Sequence, residues 1–219
     1  MTAETLLTTL ADKAAPENAA LLVIDVQNDF CAPGGFFAKI GADIPATQAM
    51  LPRLGRLIDA ARTAGVLVVF IRAIYDPGDL SAPMRERRLR RRNEMPLCHS
   101  GTWGAEFHVV LPRPDEPVVT KHRYSAMINT ELDALLKRWG KTSLLLSGVA
   151  TDTCVESTGR DAYFMDYYVT LVSDCCAAIS RSDHSGALIR FERDYGPIVT
   201  ADELIGTWTL RGTTISATG

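Results

Sequence analysis

Apolar runs and helical patterns alternate along this chain. Residues 20–25 (ALLVID) form a continuous, partly β-branched run that ends on polar residues, as a strand buried on both faces of a parallel sheet does. Between 46 and 64 the period changes. Met50, Leu54, Leu57, Ile58 and Ala61 fall near helical spacing, and Gly65 is placed to end the helix as its C-terminal cap. Residues 66–71 (VLVVFI) predict a second buried strand, 117–120 (PVVT) a short third, 143–147 (SLLLS) a fourth, 168–172 a fifth and 197–199 a sixth. Further helices are expected at 130–139, stopped by Gly140, at 154–166 and at 183–194. Strands and helices in this alternation predict an α/β fold, a three-layer αβα sandwich around a mostly parallel six-stranded sheet.

Two segments break the rhythm. Residues 73–116 are rich in Pro, Gly and Arg and carry no clear strand, so they read as a lid, a binding loop or an oligomer contact. Residues 1–17 are irregular, with Leu6, Leu7 and Leu10 suited to a short packing helix. No repeat or low-complexity linker divides the chain, and residues 1–219 are expected to form a single domain. The composition, 47% hydrophobic and 22% charged over 219 residues, suits one sizeable core. A net charge of −3 is a poor match to nucleic acid or an anionic membrane as partner. No run approaches the roughly 18 apolar residues of a membrane span. No basic-then-apolar pattern opens the chain, so no secretory signal is expected. Five cysteines without a Cys-x-x-Cys pair or a zinc-type ladder with His read as reduced thiols in a cytoplasmic protein.

In open parallel sheets ligands bind beyond the carboxyl ends of the strands. That rule selects three polar residues: Asp25 after the first strand, Lys121 after the third, and Cys154 after the turn 148–153 that follows the fourth. Cys154 falls near the start of a helix, with Asp152 or Thr153 available as N-cap. Unpaired N–H groups and the helix dipole favour a thiolate there, and a neighbouring Lys121 ammonium would favour it further. Asp25 is suited to take the thiol proton and return it to a leaving group. Each residue also has an inert reading, as a buried structural thiol, a turn cap and a solvated lysine.

Three segments carry a resemblance. Leu22-Val23-Ile24-Asp25-Val26-Gln27-Asn28-Asp29-Phe30, Val119-Thr120-Lys121-His122-Arg123-Tyr124-Ser125-Ala126, and Ser147-Gly148-Val149-Ala150-Thr151-Asp152-Thr153-Cys154-Val155 resemble, in order and spacing, the signature blocks of the isochorismatase-like cysteine hydrolases. The resemblance covers residues 18 to 205 and implies a sheet of order 3-2-1-4-5-6. It implies that Asp25, Lys121 and Cys154 are a catalytic triad, that the N–H groups of Ala150 and Cys154 form an oxyanion hole, and that the Val149–Ala150 peptide is cis. It also implies a homodimer or homotetramer.

Departures from the family's branches narrow the chemistry. Isochorismatases can lack the cysteine, which is present here. Nicotinamidases hold a metal with an Asp and paired histidines after the second strand, whereas residues 72–79 (RAIYDPGD) contain no histidine. No metal and no other cofactor are therefore expected. The resemblance then points to the metal-free amidohydrolases, which act on carbamoyl, ureido or related amides. The 121–125 and 129–133 runs resemble ureidoacrylate amidohydrolases and 174–178 (DCCAA) resembles the biuret hydrolase group, with N-carbamoylsarcosine amidohydrolase as a third relative. An isochorismatase-type or nicotinamidase-type hydrolase, or a non-catalytic metabolite-binding protein on the same scaffold, are the alternatives.

Phe30 and Tyr124 are candidates to wall a planar substrate, as is Trp103. Asn28 is a candidate to orient an amide, and Arg72 to hold a carboxylate. The run Arg85 to Arg92 (RERRLRRR) reads as a solvated helix face or a subunit contact, since no nucleic-acid-binding fold accompanies it. Cys175 and Cys176 read as structural, and Cys31 matches no family role.

Overall fold

The computed structural model describes residues 6–92 and 95–216, with side chains as far as Gly212. Six strands, β1 (Ala19–Ile24), β2 (Leu67–Ala73), β3 (Val118–Lys121), β4 (Ser143–Val149), β5 (Tyr168–Ala177) and β6 (Ile198–Val199), form one sheet. Its order is β3-β2-β1-β4-β5-β6 and every pairing is parallel, as expected. The helices are α1 (Leu10–Lys13), α2 (Asn28–Cys31), α3 (Phe36–Lys39), α4 (Ile44–Ala64), α5 (Ala82–Arg90), α6 (Leu132–Arg138), α7 (Glu156–Phe164), α8 (Arg181–Asp194) and α9 (Ala201–Ser216). None of the described helices is long and apolar enough to cross a membrane.

The continuous apolar runs of β1 and β4 follow from their central place in the sheet, where both faces are covered. Alternate residues of one strand serve opposite layers. Leu21, Val23, Val68, Phe70 and Leu145 pack against Leu54, Leu57 and Ile58 of α4 and Leu204 and Trp208 of α9. Leu22, Ile24, Val69, Ile71 and Leu146 pack against Leu135 and Leu136 of α6, Ala162 of α7 and Phe191 of α8. Helix α4 begins two residues before the predicted start because Asp43 accepts from the Ala46 N–H at 3.0 Å and Pro45 fits the first turn. It ends at Gly65, whose φ of 78° is the expected left-handed cap.

Two departures have local causes. β5 runs on to Ala177 rather than stopping at Val172, because a bulge against β4 shifts the register between Leu146 and Gly148. The polar residues that resemble a strand end are used along it. Ser173 Oγ donates to the Val199 carbonyl at 3.1 Å, and Asp174 accepts from the Ala201 N–H at 2.8 Å. The segment 73–116 is not without structure: it holds α5, a 3₁₀ turn at Trp103–Ala105 and an antiparallel bridge between Gln27 and Phe107. Its residues 93–94 lie outside the described residues, as do the first five of the expected irregular N-terminal segment. The arginine run forms most of α5, which buries none of its side chains.

The approach to β3 is tied to the end of α4 by an ion pair. Arg62 donates to both Glu116 oxygens at 2.7 and 2.8 Å, and the Arg113 N–H donates to the same carboxylate at 2.7 Å. Burial pushes the Glu116 carboxyl up, but the Arg62 and Arg113 contacts outweigh it and hold it below its ordinary value. Replacing Glu116 by Ala is expected to cost about 1–3 kcal/mol of unfolding free energy, the scale of charge-assisted hydrogen bonds. A carboxyl depressed in the folded state contributes stability above its unfolded pKa and loses it as pH falls through the folded one. Urea denaturation should therefore show the gap between wild type and Glu116→Ala narrowing as the solution is acidified.

Candidate active site

The sheet brings the predicted residues to one edge. Parallel pairing sets Ile24 beside Ile71 on β2 and Gly148 on β4, and Ala73 beside Lys121 on β3. The carboxyl ends of β1, β3 and β4 thus lie together, next to the place between β1 and β4 where the winding reverses. Asp25 follows β1 with a positive φ of 54°, unusual for a residue other than glycine, and its N–H donates to the Ile71 carbonyl at 2.9 Å. Gly148 has φ 111°, and a Cβ there would meet the Ile24 carbonyl oxygen at 2.0 Å, so only glycine lets β4 pass this close to β1.

Lys121 Nζ lies 2.7 Å from Asp25 Oδ2, and both side chains are fully buried. The ammonium also donates to the Arg123 carbonyl at 3.0 Å and to Cys154 Sγ at 3.4 Å, and reaches the Tyr75 hydroxyl at 3.5 Å. Among the described residues no turn N–H or hydroxyl donates to Asp25, which removes the reading of this carboxylate as a turn cap. Burial of Lys121 removes it as a merely solvated lysine.

Cys154 sits in a wide π-type turn, Thr151–Val155, that precedes α7. Neither Asp152 nor Thr153 caps it, contrary to expectation: the residue before the turn is Ala150, and its carbonyl accepts from the N–H groups of Thr153 and Val155 at 3.1 Å each. The turn is anchored instead by Thr151 Oγ1, 2.8 Å from His184 Nδ1 on α8. The Val149–Ala150 peptide is cis, as the resemblance implied.

Electrostatics depart from the expected thiolate. Burial raises the Cys154 thiol to about 12, with Lys121 pulling it down and Asp25 pushing it up. Burial likewise raises Asp25 above the ordinary carboxylate range, against the pull of Lys121. Lys121 is raised despite burial, because Asp25 and Cys154 both favour its charge. The Cys154 thiol is therefore neutral at rest, beside the 2.7 Å contact of Lys121 with Asp25. All five cysteines are free and buried. Cys31, Cys98, Cys175 and Cys176 are held protonated by burial too, but none of them lines the cavity above Cys154.

That cavity measures about 170 Å³. Cys154, Ala150 and Thr153 form one part of its wall, Phe30, Phe36, Phe37, Ile40 and Ile179 an apolar part, and Tyr75 and Tyr124 another. Met84, Arg87, Arg88 and Arg91 reach it from α5. Of the predicted substrate residues, Phe30 and Tyr124 are there. Asn28 is not: its amide donates to the Trp103 carbonyl at 2.8 Å and its oxygen faces His108 Nδ1 at 2.8 Å. Arg72 is not either, since an inward alternation puts its neighbours in the core and leaves it exposed, bonded to Thr120 Oγ1 at 2.9 Å. Trp103 is half-exposed outside the cavity.

Sequence reading missed Tyr75, Gln27 and Asp29. Tyr75 stands in the 72–79 stretch, outside the three blocks that carry the resemblance. Gln27 donates to the Ala73 and Ala105 carbonyls and accepts from the Ala73 N–H, at 2.7–2.9 Å. Asp29 accepts from the N–H groups of Phe36 and Cys98. Both stand in the first quoted block, where two more polar residues directly after a buried strand were the available signal. Among the described residues no three His, Cys, Asp or Glu side chains converge as a metal site.

Compared with known proteins, the chain matches the isochorismatase domain over residues 19–203. It is 36% identical over 172 residues to the ureidoacrylate amidohydrolase RutB of Pantoea ananatis, covering 73% of this chain and 69% of that one. To the protein of the same name from Serratia proteamaculans it is 33% identical over 207 residues, covering 88% and 84%. A cysteine hydrolase from Pseudomonas syringae pv. phaseolicola superposes with a TM-score of 0.78 at 27% identity, covering 89% of this chain and 93% of that one. N-carbamoylsarcosine amidase from Thermoplasma acidophilum superposes with a TM-score of 0.68 at 26% identity, covering 84% and 97%.

The opposed charges around Cys154 make a signed prediction. Iodoacetamide reacts with the thiolate, so labelling follows the thiolate fraction. At a fixed pH near 9, Lys121→Met should slow labelling of Cys154 and Asp25→Asn should speed it, each by about tenfold or more, since a close charge moves a pKa by a unit or more. Mass spectrometry of the Cys154 peptide over time reads both.

Proposed function

The chain belongs to the isochorismatase family, and from that premise we propose that it hydrolyses the C–N bond of a small carbamoyl, ureido or related amide, with Cys154 as nucleophile. The observation that carries this reading is the contact of Cys154 with the Asp25–Lys121 ion pair at the wall of a small cavity. The names of the relatives, amidohydrolases of ureidoacrylate and an N-carbamoylsarcosine amidase, support the same bond class.

Asp25 is the proton carrier in this mechanism. As Sγ attacks the carbonyl carbon, the thiol proton passes to Asp25 and the carbonyl oxygen becomes an oxyanion. The N–H groups of Ala150 and Cys154, both on the cavity wall, are its proposed donors. The C–N bond then breaks, the leaving nitrogen takes the proton from Asp25, and ammonia or an amine departs from a thioester on Cys154. Water next attacks the thioester, giving its proton to Asp25, and the sulfur leaves and recovers that proton. Lys121 keeps Asp25 charged in an interior that opposes the charge, so that the base is ready when the substrate arrives. The aromatic wall of Phe30 and Tyr124 suits a flat amide or ureide.

Ammonia release measured across a panel of ureides, carbamoyl amino acids and simple amides tests the proposal. Cys154→Ala should abolish release, and Asp25→Asn should lower kcat by about a hundredfold or more, the usual scale for losing a general base. Full activity in Cys154→Ala would sink the mechanism. The reaction needs Asp25 ionised, so kcat/KM should fall on acidification through its raised pKa, beginning above the pH range of an exposed aspartate.

A further inference from the structure

We propose that Arg87, Arg88 and Arg91 form an anion subsite of this cavity, and that the amide it cleaves carries a carboxylate. The proposal deepens the amidohydrolase reading and rests on it for the reaction, though not for the binding of the anion.

The arginine run of α5 divides by use. Arg85 donates to the Leu80 carbonyl at 2.9 Å, and Arg90 is paired with Glu86 at 3.0 Å, so these two serve the helix and its approach. Arg87, Arg88 and Arg91 stand at helical spacings of three and four and reach the cavity that holds Cys154, together with Met84 one turn earlier. Among the described residues none of the three is paired with a carboxylate. The guanidinium of Arg87 also lies 5.9 Å from the centre of the Tyr124 ring. No Asp or Glu is among the residues lining the cavity, and the Asp25 beside it is matched by Lys121.

The result is a small space lined by three arginines together with the apolar Phe30, Phe36, Phe37, Ile40 and Ile179. Cationic groups beside low-dielectric walls attract an anion more strongly than they would in open water. A planar carboxylate matches the fork of a guanidinium in two parallel hydrogen bonds. A cavity of about 170 Å³ compares with the roughly 150 Å³ that holds a benzene molecule, so the whole substrate must be compact. A short molecule with an amide at one end, against Cys154, and a carboxylate at the other satisfies both demands. Helix α5 fully buries none of its side chains, and the anion would add to the few contacts that hold it, such as the packing of Met84.

The test uses two probes of matched shape, 3-ureidopropionate and (3-methylbutyl)urea, in which an isopropyl group replaces the carboxylate. The wild type should prefer the carboxylate in kcat/KM. Arg88→Gln should reduce that preference about ten- to a hundredfold, chiefly through KM, the scale expected for losing hydrogen bonds to a charged group. Arg88→Lys should keep part of it, and Arg90→Gln, whose residue lies outside the cavity, should keep all of it. Equal loss on both ureas in Arg88→Gln would mark a structural role and overturn the proposal. Protection of Cys154 from iodoacetamide by each probe needs no turnover and separates the two readings. Protection by the carboxylate alone, with no ammonia from either urea, would refute the amidohydrolase reading and uphold the anion subsite. Protection by both probes equally, or by neither, would overturn the subsite.

Discussion

The site depends on one ion pair that no water reaches. Lys121 and Asp25 meet at 2.7 Å with both side chains fully buried. Taking each charge out of water costs several kcal/mol, and their attraction offsets this only with good geometry and with the remaining donors satisfied. Lys121 meets the second condition through the Arg123 carbonyl and the Cys154 sulfur. The first is met by the sheet. Asp25 and Lys121 come from strands that do not touch, and β2 sets the span between them, through the Ala73–Lys121 register and the bond from Asp25 N–H to the Ile71 carbonyl. A slip of one residue in β3 would turn Lys121 to the opposite face and leave Asp25 alone.

The polar residues after β1 hold the cavity's walls in relation to that pair. Gln27 joins the ends of β1 and β2 to the 3₁₀ turn, Asn28 reaches the same turn and His108, and Asp29 gathers the starts of α3 and the Cys98 loop. Three successive polar side chains thus serve backbone groups that buried loops would otherwise leave unsatisfied. Their task is to let irregular chain lie over the sheet edge without exposing it to water. The aromatic residues at 30, 36 and 37 follow from the same turn: once Asp29 fixes the chain, Phe30, Phe36 and Phe37 have one common side to face, and it is the cavity.

The sheet and the meeting of Asp25, Lys121 and Cys154 were legible because both rest on strand order and strand ends. Long apolar runs identify central strands, and parallel winding decides which end carries the polar residues. The misreadings share a cause, which is that side-chain direction in loops and at strand ends is set by tertiary contacts. Arg72 was placed at the right end of β2 but on the outward side of the strand. Asn28 was placed near the right position but is consumed by the Trp103 carbonyl and His108. The β5 boundary was misjudged because Ser173 and Asp174 bond to β6 and the start of α9, which no local pattern encodes. The segment 73–116 was recognised as unusual and α5 within it was not, because a helix without a buried face leaves no apolar period to read.

The protonation of Cys154 is where composition of the surroundings outweighs position on a helix. A cysteine at a helix start next to an ammonium reads as a thiolate, and in an exposed setting that reading holds. Here three ionisable groups share one dry place, and for the sulfur burial outweighs the pull of Lys121. A neutral thiol suits the proposed role of Cys154 as a nucleophile that must not act alone. A carboxylate that is already ionised can accept a proton, whereas a thiolate at rest would have left its proton on Asp25 before any substrate was bound. In the proposed mechanism nucleophilic attack is then coupled to proton transfer, and both await a carbonyl carbon beside Cys154 and donors for its oxygen. The same dryness that makes the ion pair costly is what keeps the thiol neutral until the cavity is filled.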